Sequence, residues 1–406
     1  MKFLVPKFYN DFNCIGSKCE DTCCQIWNVY VDKKVYNKCK EYKKDVKLKE
    51  KFKENIKRNR SNNTDFDYAK IIMNENRMCP FLDENKLCSV YLKCGEDYMG
   101  TVCKIYPRTY GNTELFKEKG LSTSCPEVVR LSLFNKEKME FEVVDMDDND
   151  FIDKYDYRLI SKQEQELFWV LRNFSIELIQ NREYDLSERL TILAIVMKKI
   201  DELLKSKKYD EILNSIDLYK KLIENFEFKA TIEDININKE VELYLINELL
   251  KLGYKKNGDN YNYSEIYKTS IETFEFFTGN NNIILNSYID AYENYYKPFI
   301  KNKSYILENY LVNNMFNTKF PYSEFFLTDI FNNMIVLVIR YIILKFNLIA
   351  ATKKYKEDLT DEKIVEIIYK LSRFMEHGDI IMEAIINIME RRNMKDLAHI
   401  VSMVLD

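Results

Sequence analysis

Ten cysteines (Cys14, Cys19, Cys23, Cys24, Cys39, Cys79, Cys88, Cys94, Cys103 and Cys125) stand in the first 125 residues of a 406-residue chain, and none follows. Cysteine used as ordinary core filler would not stop a third of the way along. The short spacing of Cys14, Cys19, Cys23 and Cys24 places two thiolates on one loop, near enough to hold one ion. Distant cysteines can then close the shell. Proline after Cys79 and Cys125 stiffens the turn and removes a backbone donor, as suits a loop wrapped around a metal. Histidine occurs only as His377 and His399, far along the chain, which disfavours a mixed Cys/His zinc site. An all-thiolate centre remains, either zinc held by four cysteines or an iron–sulfur cluster. The C-x3-C-x2-C spacing of radical S-adenosylmethionine enzymes starts at Cys19 and Cys23 but meets Ile26 at the third position. Cys39, in a basic segment, and Cys94, without a companion motif, are not expected to ligate.

The compartment bears on that choice. Met-Lys-Phe-Leu-Val-Pro leads at once into charged and polar residues, so no secretory signal is expected and the reading is cytoplasmic. Thiols there stay reduced, which favours metal over disulfides. The longest apolar stretch, 334–350, is interrupted by Arg340 and Lys345, so no membrane insertion is expected. The 61 basic and 65 acidic residues nearly cancel and give no reason to expect nucleic acid as a partner.

The elements that must position these residues fall into two parts. The fold expected is mainly α: a small N-terminal cysteine-rich metal module with a little β over residues 1–150, then a larger all-α domain over 151–406. Residues 26–32 read as a short strand. The basic segment 33–60 reads as a solvated helix, its Val and Leu too sparse for burial. Leu131–Phe134 and Met139–Val143 read as strands, and Asp145, Asp147, Asp148 and Asp150 as an acidic linker. Beyond it the apolar period is helical. A helix opens near Lys162, and Asp185 with Glu188 forms a capping box for another running to Lys205. Residues 240–252 form a helix closed by Gly253, and Asn257-Gly258-Asp259 marks a turn. Further helices are expected at 285–315, 323–350, 361–374 and 379–404.

The motifs Phe12-Asn13-Cys14-Ile15-Gly16, Cys19-Glu20-Asp21-Thr22-Cys23-Cys24 with Trp27 and Asp32, Cys79-Pro80-Phe81-Leu82, Leu87-Cys88, Cys103 with Tyr106-Pro107-Arg108, and Leu121-Ser122-Thr123-Ser124-Cys125-Pro126 resemble the flagellin lysine N-methylase family. In the helical part the similar segments are Arg172-Asn173-Phe174, Glu188-Arg189-Leu190, Glu308 to Asn313 with Phe320-Pro321, Ser372-Arg373 and Glu376-His377. The N-terminal motif is shared with a wider group of zinc- or iron-chelating domains. The resemblance implies methyl transfer from S-adenosylmethionine to surface lysines of flagellin, and a [4Fe–4S] cluster. Its implied ligand pool is Cys14, Cys19, Cys23, Cys24, Cys79, Cys88, Cys103 and Cys125, with Cys19, Cys23, Cys79, Cys88 and Cys103 ranked first.

The chemistry sets its own demands. Free lysine, with a pKa of roughly 10.4, is protonated at neutral pH, so an enzyme must desolvate it or accept its proton. Tyr310, Glu308, Glu376 and His377 are the catalytic candidates, and Asn309 is the candidate for holding the methyl donor. Each has a bland reading as well: tyrosine at helical spacing is core, glutamate on a helix is solvated, and histidine before glycine ends a helix. The nine glycines never form Gly-x-Gly, and no Asn-Pro-Pro-Tyr loop occurs, so the donor site is of an unusual kind. A metal-stabilised flagellin-binding scaffold and an iron–sulfur redox protein or sensor are the competing classes.

Overall fold

A computed structural model describes residues 1–405 except 26–28, 61–63, 114, 147–160, 236–238, 258–260, 277–279, 324–328 and 377–378. The chain is mainly helical, with short strands near its N-terminus. It divides into two compact units. One comprises Met1–Asn10, Tyr110–Ser124 and Val128–Asp406; the other comprises Asp11–Thr109 and Cys125–Glu127. Asp147, Asp148 and Asp150 of the expected linker, Trp27 and the Gly258-Asp259 turn lie outside the described residues.

The cysteine-rich unit buries more than its composition suggests. Residues 33–60 form two helices, Lys33–Glu41 and Val46–Asn55, and then strand Ile56–Arg58. Asp32 and Asp45 start the helices by accepting hydrogen bonds from the Val35 and Leu48 amides at 2.9 and 3.0 Å, satisfying donors the first turn leaves open. The few apolar residues fall on one face, and Val35, Cys39, Tyr42, Leu48, Phe52 and Ile56 join Phe81 and Val90 in a small core. The expectation of a wholly solvated helix fails because one apolar residue per turn suffices when the rings are large. Tyr42 meets Phe52 edge-on at 5.6 Å, a geometry that adds to area burial. A three-stranded sheet orders Tyr30–Val31, Ala69–Ile71 and Ile56–Arg58.

The helical unit begins from a four-stranded sheet in the order Arg108–Asn112, Lys117–Leu121, Lys2–Pro6 and Phe141–Asp145. Lys2–Pro6 runs parallel to Lys117–Leu121 and antiparallel to Phe141–Asp145, with Phe3 opposite Lys117 and Val144. Leu131–Leu133 is helical rather than extended, because helix Pro126–Leu133 begins with the residue best suited to a first turn. Its Val129 and Leu133 are fully buried four residues apart.

The capping box of Asp185 and Glu188 is present, with the Asp185 amide donating to Glu188 at 2.7 Å. The helix it opens, Leu186–Lys205, ends where the apolar period does. Gly253 does not close its helix, which runs from Lys239 to Asn257. Glycine inside a helix costs about 1 kcal/mol, less than burying Leu245, Ile246 and Leu250 returns. The expected helix at 285–315 is broken: Asn281–Ala291 passes through a π turn at Tyr292–Tyr296 into Lys297–Ile300, and Ser304–Thr318 starts anew. Pro298 lacks the N–H that a continuous α-helix would use there. The segment 379–404 is two helices, Asp379–Arg391 and Leu397–Val404. Asp396 caps the second by accepting from the His399 amide at 2.9 Å, and it also holds the His399 ring at 2.7 Å, so His399 is structural.

Helix Ile330–Tyr355 is the axis of this unit, buried from Met334 to Thr352. It is long and apolar enough to cross a bilayer by length and composition, but its apolar window is wholly buried inside the protein. A helix apolar on all sides belongs in a core. Its polar residues carry partners: Asn347 accepts from Ser270 and donates to Ile343 O, each at 2.8 Å, and Lys345 lies 5.3 Å from the Tyr292 ring.

A second buried polar group joins the sheet to the helices. Arg172 donates to Glu118 at 2.6 Å and to Phe316 O at 3.0 Å, while Lys319 reaches the other Glu118 oxygen at 3.3 Å. Gly111 leaves the room Lys319 needs, since a Cβ there would stand 1.9 Å from the lysine Cε. Gly111→Ala is therefore expected to cost about 1–3 kcal/mol through overpacking, measured by denaturant unfolding. An unchanged midpoint would show that Lys319 moves freely.

Candidate functional site

The chain sews three cysteine-bearing segments side by side. The Cys79 amide donates to Cys24 O at 2.8 Å beside an antiparallel bridge between Gln25 and Met78. Leu82 bridges Cys88, and both the amide and the hydroxyl of Ser89 donate to Phe81 O, at 2.8 and 2.6 Å. Cys103 comes from helix Thr101–Ile105. These contacts bring Cys23, Cys79, Cys88 and Cys103 into one electrostatic neighbourhood.

Burial, then the neighbouring sulfurs of Cys79, Cys88 and Cys23, push the Cys103 thiol up to about 12. Burial pushes Cys79 to about 11, with Cys88 and Cys23 adding to the shift and the Phe81 amide opposing it. Cys88 is raised by burial and then lowered by the Tyr91 and Val90 amides, while Cys23 and Cys94 push it upward. It stands at the N-cap of helix Ser89–Cys94 without closing a capping hydrogen bond.

None of the ten cysteines forms a disulfide. Among the described residues no three His, Cys, Asp or Glu side chains are close enough to hold a metal ion. The donor set nonetheless fits iron–sulfur or zinc in its chemistry: four thiols, no histidine, and backbone amides that favour thiolate. Cys19, which the sequence ranks with these four, is instead in the field of Cys14, with burial as its largest influence. Cys14 is exposed, and Cys24 and Cys125 are half-buried. Cys39 lies in the apolar core with Cys94 beside it.

The helical unit holds a separate polar cluster. Glu376, the last residue of helix Asp361–Glu376, accepts from the Ser122 hydroxyl and from Thr123 Oγ1 at 2.8 Å. Ser372 Oγ lies 2.9 Å from Thr123 Oγ1, which accepts its hydroxyl proton while donating its own to Glu376. Burial raises the Glu376 carboxyl above its ordinary range, while Ser122, Arg340 and Thr123 pull it back. Tyr310, on helix Ser304–Thr318, is 1% exposed. Its hydroxyl closes no hydrogen bond, and burial holds its pKa far up despite Arg340. Asn313 fixes the loop from below by donating to Leu121 O at 3.1 Å, and Arg373 donates to Ser124 O at 3.3 Å. Segments 121–124, 310–313, 372–373 and 376, far apart in the chain, thus converge.

Arg340 enters the cluster from the axial helix and donates to Asn314 at 2.8 Å. It also lines a small pocket of about 20 Å³ with Asn314, Thr318, Phe320, Ser323 and Asn333. Sequence reasoning treats Arg340 only as a charge interrupting an apolar run. The signal that could have found it is that interruption itself, a charge on a helix otherwise fit for burial.

Two other candidates are placed differently. Glu308 is 1% exposed and is clamped by Arg182 at 2.8 Å and Arg189 at 2.7 Å, with Arg189 also donating to the carbonyls of Ile179 and Tyr184. Asn309 is buried and donates to Asn135 O at 2.8 Å, apart from the Glu376 cluster. His377 lies outside the described residues.

Residues 172–403 match the family described as the FliB lysine N-methylase C-terminal domain. The chain is 30% identical over 137 residues to a protein named lysine-N-methylase from Salmonella choleraesuis, covering 33% of this chain and 33% of that protein. A lysine-N-methylase from Salmonella typhimurium matches with the same identity and coverage. A protein of Salmonella muenchen named flagellar biosynthetic protein FliU is 31% identical over 134 residues, 33% of this chain and 78% of that protein. The matched stretch thus spans about a third of the length of the two lysine-N-methylases. No solved structure matches the chain.

Proposed function

The chain belongs to the FliB lysine N-methylase family, and on that premise we propose that it transfers methyl groups from S-adenosylmethionine to lysine side chains of flagellin in the cytoplasm. The observation carrying the reading is that the family match spans Tyr310, Arg340, Ser372 and Glu376, the helix residues of one buried polar cluster. Their arrangement suits an amine that must lose its proton before it reacts. The lysine nitrogen forms a bond to the methyl carbon as the sulfonium carbon–sulfur bond breaks, and S-adenosylhomocysteine leaves. The proton goes to the Glu376 carboxylate, which Ser122 and Thr123 hold in place. A carboxyl raised by burial is a stronger base than a solvated one. Tyr310 and the apolar helices around it exclude water, which favours the neutral amine.

Cys23, Cys79, Cys88 and Cys103 are the proposed hold for a [4Fe–4S] cluster, which would supply an electrophilic, redox-active iron centre and tie their segments together. The support is the thiol chemistry and the shared field of these four side chains.

The test is a pH–rate profile of methyl transfer to flagellin. Since the folded pKa of Glu376 is raised, its base form is lost as pH falls through a value above the usual carboxylate range. The rate is expected to fall there, and Glu376→Gln to remove that acid limb and lower the rate by about 10²–10⁴. An unchanged profile in the folded variant would remove Glu376 from the chemistry. Flagellin binding with no transfer at any pH would favour the scaffold.

A further inference from the structure

One corner of the cysteine-rich unit sets apolar side chains among lysines on its outer surface. The loop between helices Lys33–Glu41 and Val46–Asn55 carries Lys43 and Lys44, and the second helix opens with Val46 and Lys47; all four are exposed. Asp45 fixes this corner from two sides, accepting from the Leu48 amide at 3.0 Å and pairing with Lys93 at 2.6 Å. The second contact brings up helix Ser89–Cys94, which buries Val90 and turns Tyr91 and Leu92 outward. Val46 is 71% exposed, Leu92 57% and Tyr91 51%. Single apolar side chains scattered over a surface need no explanation, but these three stand together beside a concentration of positive charge. Lys93 takes up the charge of Asp45, and Glu41 and Glu50 are outnumbered by Lys40, Lys43, Lys44, Lys47 and Lys49 in a chain whose net charge is -4.

We propose that this corner docks the chain on an anionic lipid surface, with Val46, Tyr91 and Leu92 entering the headgroup layer and Lys43, Lys44 and Lys47 meeting lipid phosphates. The chemistry selects the occupant. Lysines draw a protein to an anionic bilayer, and apolar side chains that stand clear of the fold then enter its interface. Tyrosine suits that layer, with an apolar ring and a polar tip. A nucleic acid calls for stacking rings and arginine forks, whereas this corner offers one tyrosine, no arginine and two aliphatic side chains. An acidic peptide would meet the lysines and leave Val46 and Leu92 unused. The chain rests on the bilayer rather than crossing it, since the described helix long and apolar enough to cross is buried inside the protein. This docking does not depend on the methyltransferase reading.

Vesicle flotation of the full chain is the test. Vesicles of equal parts phosphatidylglycerol and phosphatidylcholine are compared with phosphatidylcholine alone, at low and at high salt. The chain is expected to float with the anionic vesicles at low salt, and to stay in solution with the neutral ones and at high salt. Lys43→Glu combined with Lys44→Glu and Lys47→Glu is expected to weaken partitioning about tenfold or more. Val46→Ser combined with Leu92→Ser is expected to weaken it roughly threefold to tenfold. All five positions are exposed, and circular dichroism with a thermal melt checks that both variants keep the native fold. A fluorescent oligonucleotide and polyglutamate are titrated alongside. Anionic vesicles bound no better than neutral ones would overturn the proposal. So would binding that is lost with the lysines but unchanged in the Val46 and Leu92 variant, with the oligonucleotide or polyglutamate bound as well as the vesicles, because that is the behaviour of a general polyanion surface.

Discussion

Replacing Cys103 or Cys79 with serine is expected to strip nearly all iron from anaerobically purified protein, whereas Cys39→Ser leaves it in place. Cys79 and Cys103 have pKa values raised to about 11 and 12 by burial and by neighbouring sulfurs, so each stands within the field of the proposed ligand set. Cys39 is raised to about 12 as well, but by burial in an apolar core beside Cys94. The contrast matters because a general loss of folding would affect all three. A structural metal contributes folding free energy directly, so the iron-free variants are also expected to unfold earlier within the cysteine-rich unit. Iron and acid-labile sulfide analysis reads the first effect and limited proteolysis the second. Equal iron in Cys103→Ser and native protein would rule that sulfur out as a ligand.

Glu308→Ala is expected to destabilise the helical unit by about 3–5 kcal/mol, a large part of a typical stability of about 5–15 kcal/mol. Glu308 is buried and balances two arginines, and Arg189 is itself buried. Removing the carboxylate leaves that guanidinium without its counter-charge, which costs more than the pair contributes. A double variant, Glu308→Leu with Arg189→Met, is expected to regain part of the loss, because the two changes share one interaction. Denaturant unfolding measures both. A cost under about 1 kcal/mol for Glu308→Ala would mean that water or another carboxylate reaches Arg189.

What the sequence makes legible is what is local. The Asp185 and Glu188 capping box, the apolar period of 330–352 and the crowding of cysteine are short-range patterns, and the helical character of the chain follows from them. The strands at Lys2–Pro6 and Lys117–Leu121 are not legible. They pair across more than a hundred residues, and Lys117–Leu121 carries Glu118 and Lys119 where a buried strand would ordinarily be apolar. Those charges are tolerated because Arg172 and Lys319 meet Glu118, partners that no window of sequence joins.

The site divides in the same way. Tyr310 and Glu376 are proposed from sequence and prove to share one cluster, but nothing local links them to Ser122, Thr123 or Arg340. Glu308 is proposed for catalysis on the same grounds as Glu376. The two differ only in their surroundings: Glu308 faces two arginines that hold it, and Glu376 is raised by burial, which its hydroxyl partners and Arg340 only partly offset.

The most direct test of the account is anaerobic incubation of the freshly purified protein with flagellin and S-adenosylmethionine deuterated in its methyl group, followed by peptide mass spectrometry. The account predicts deuterated methyl groups on flagellin lysine side chains, in an amount that grows with time and falls sharply in Glu376→Gln. Iron-loaded protein that binds flagellin yet leaves every lysine unlabelled would contradict it.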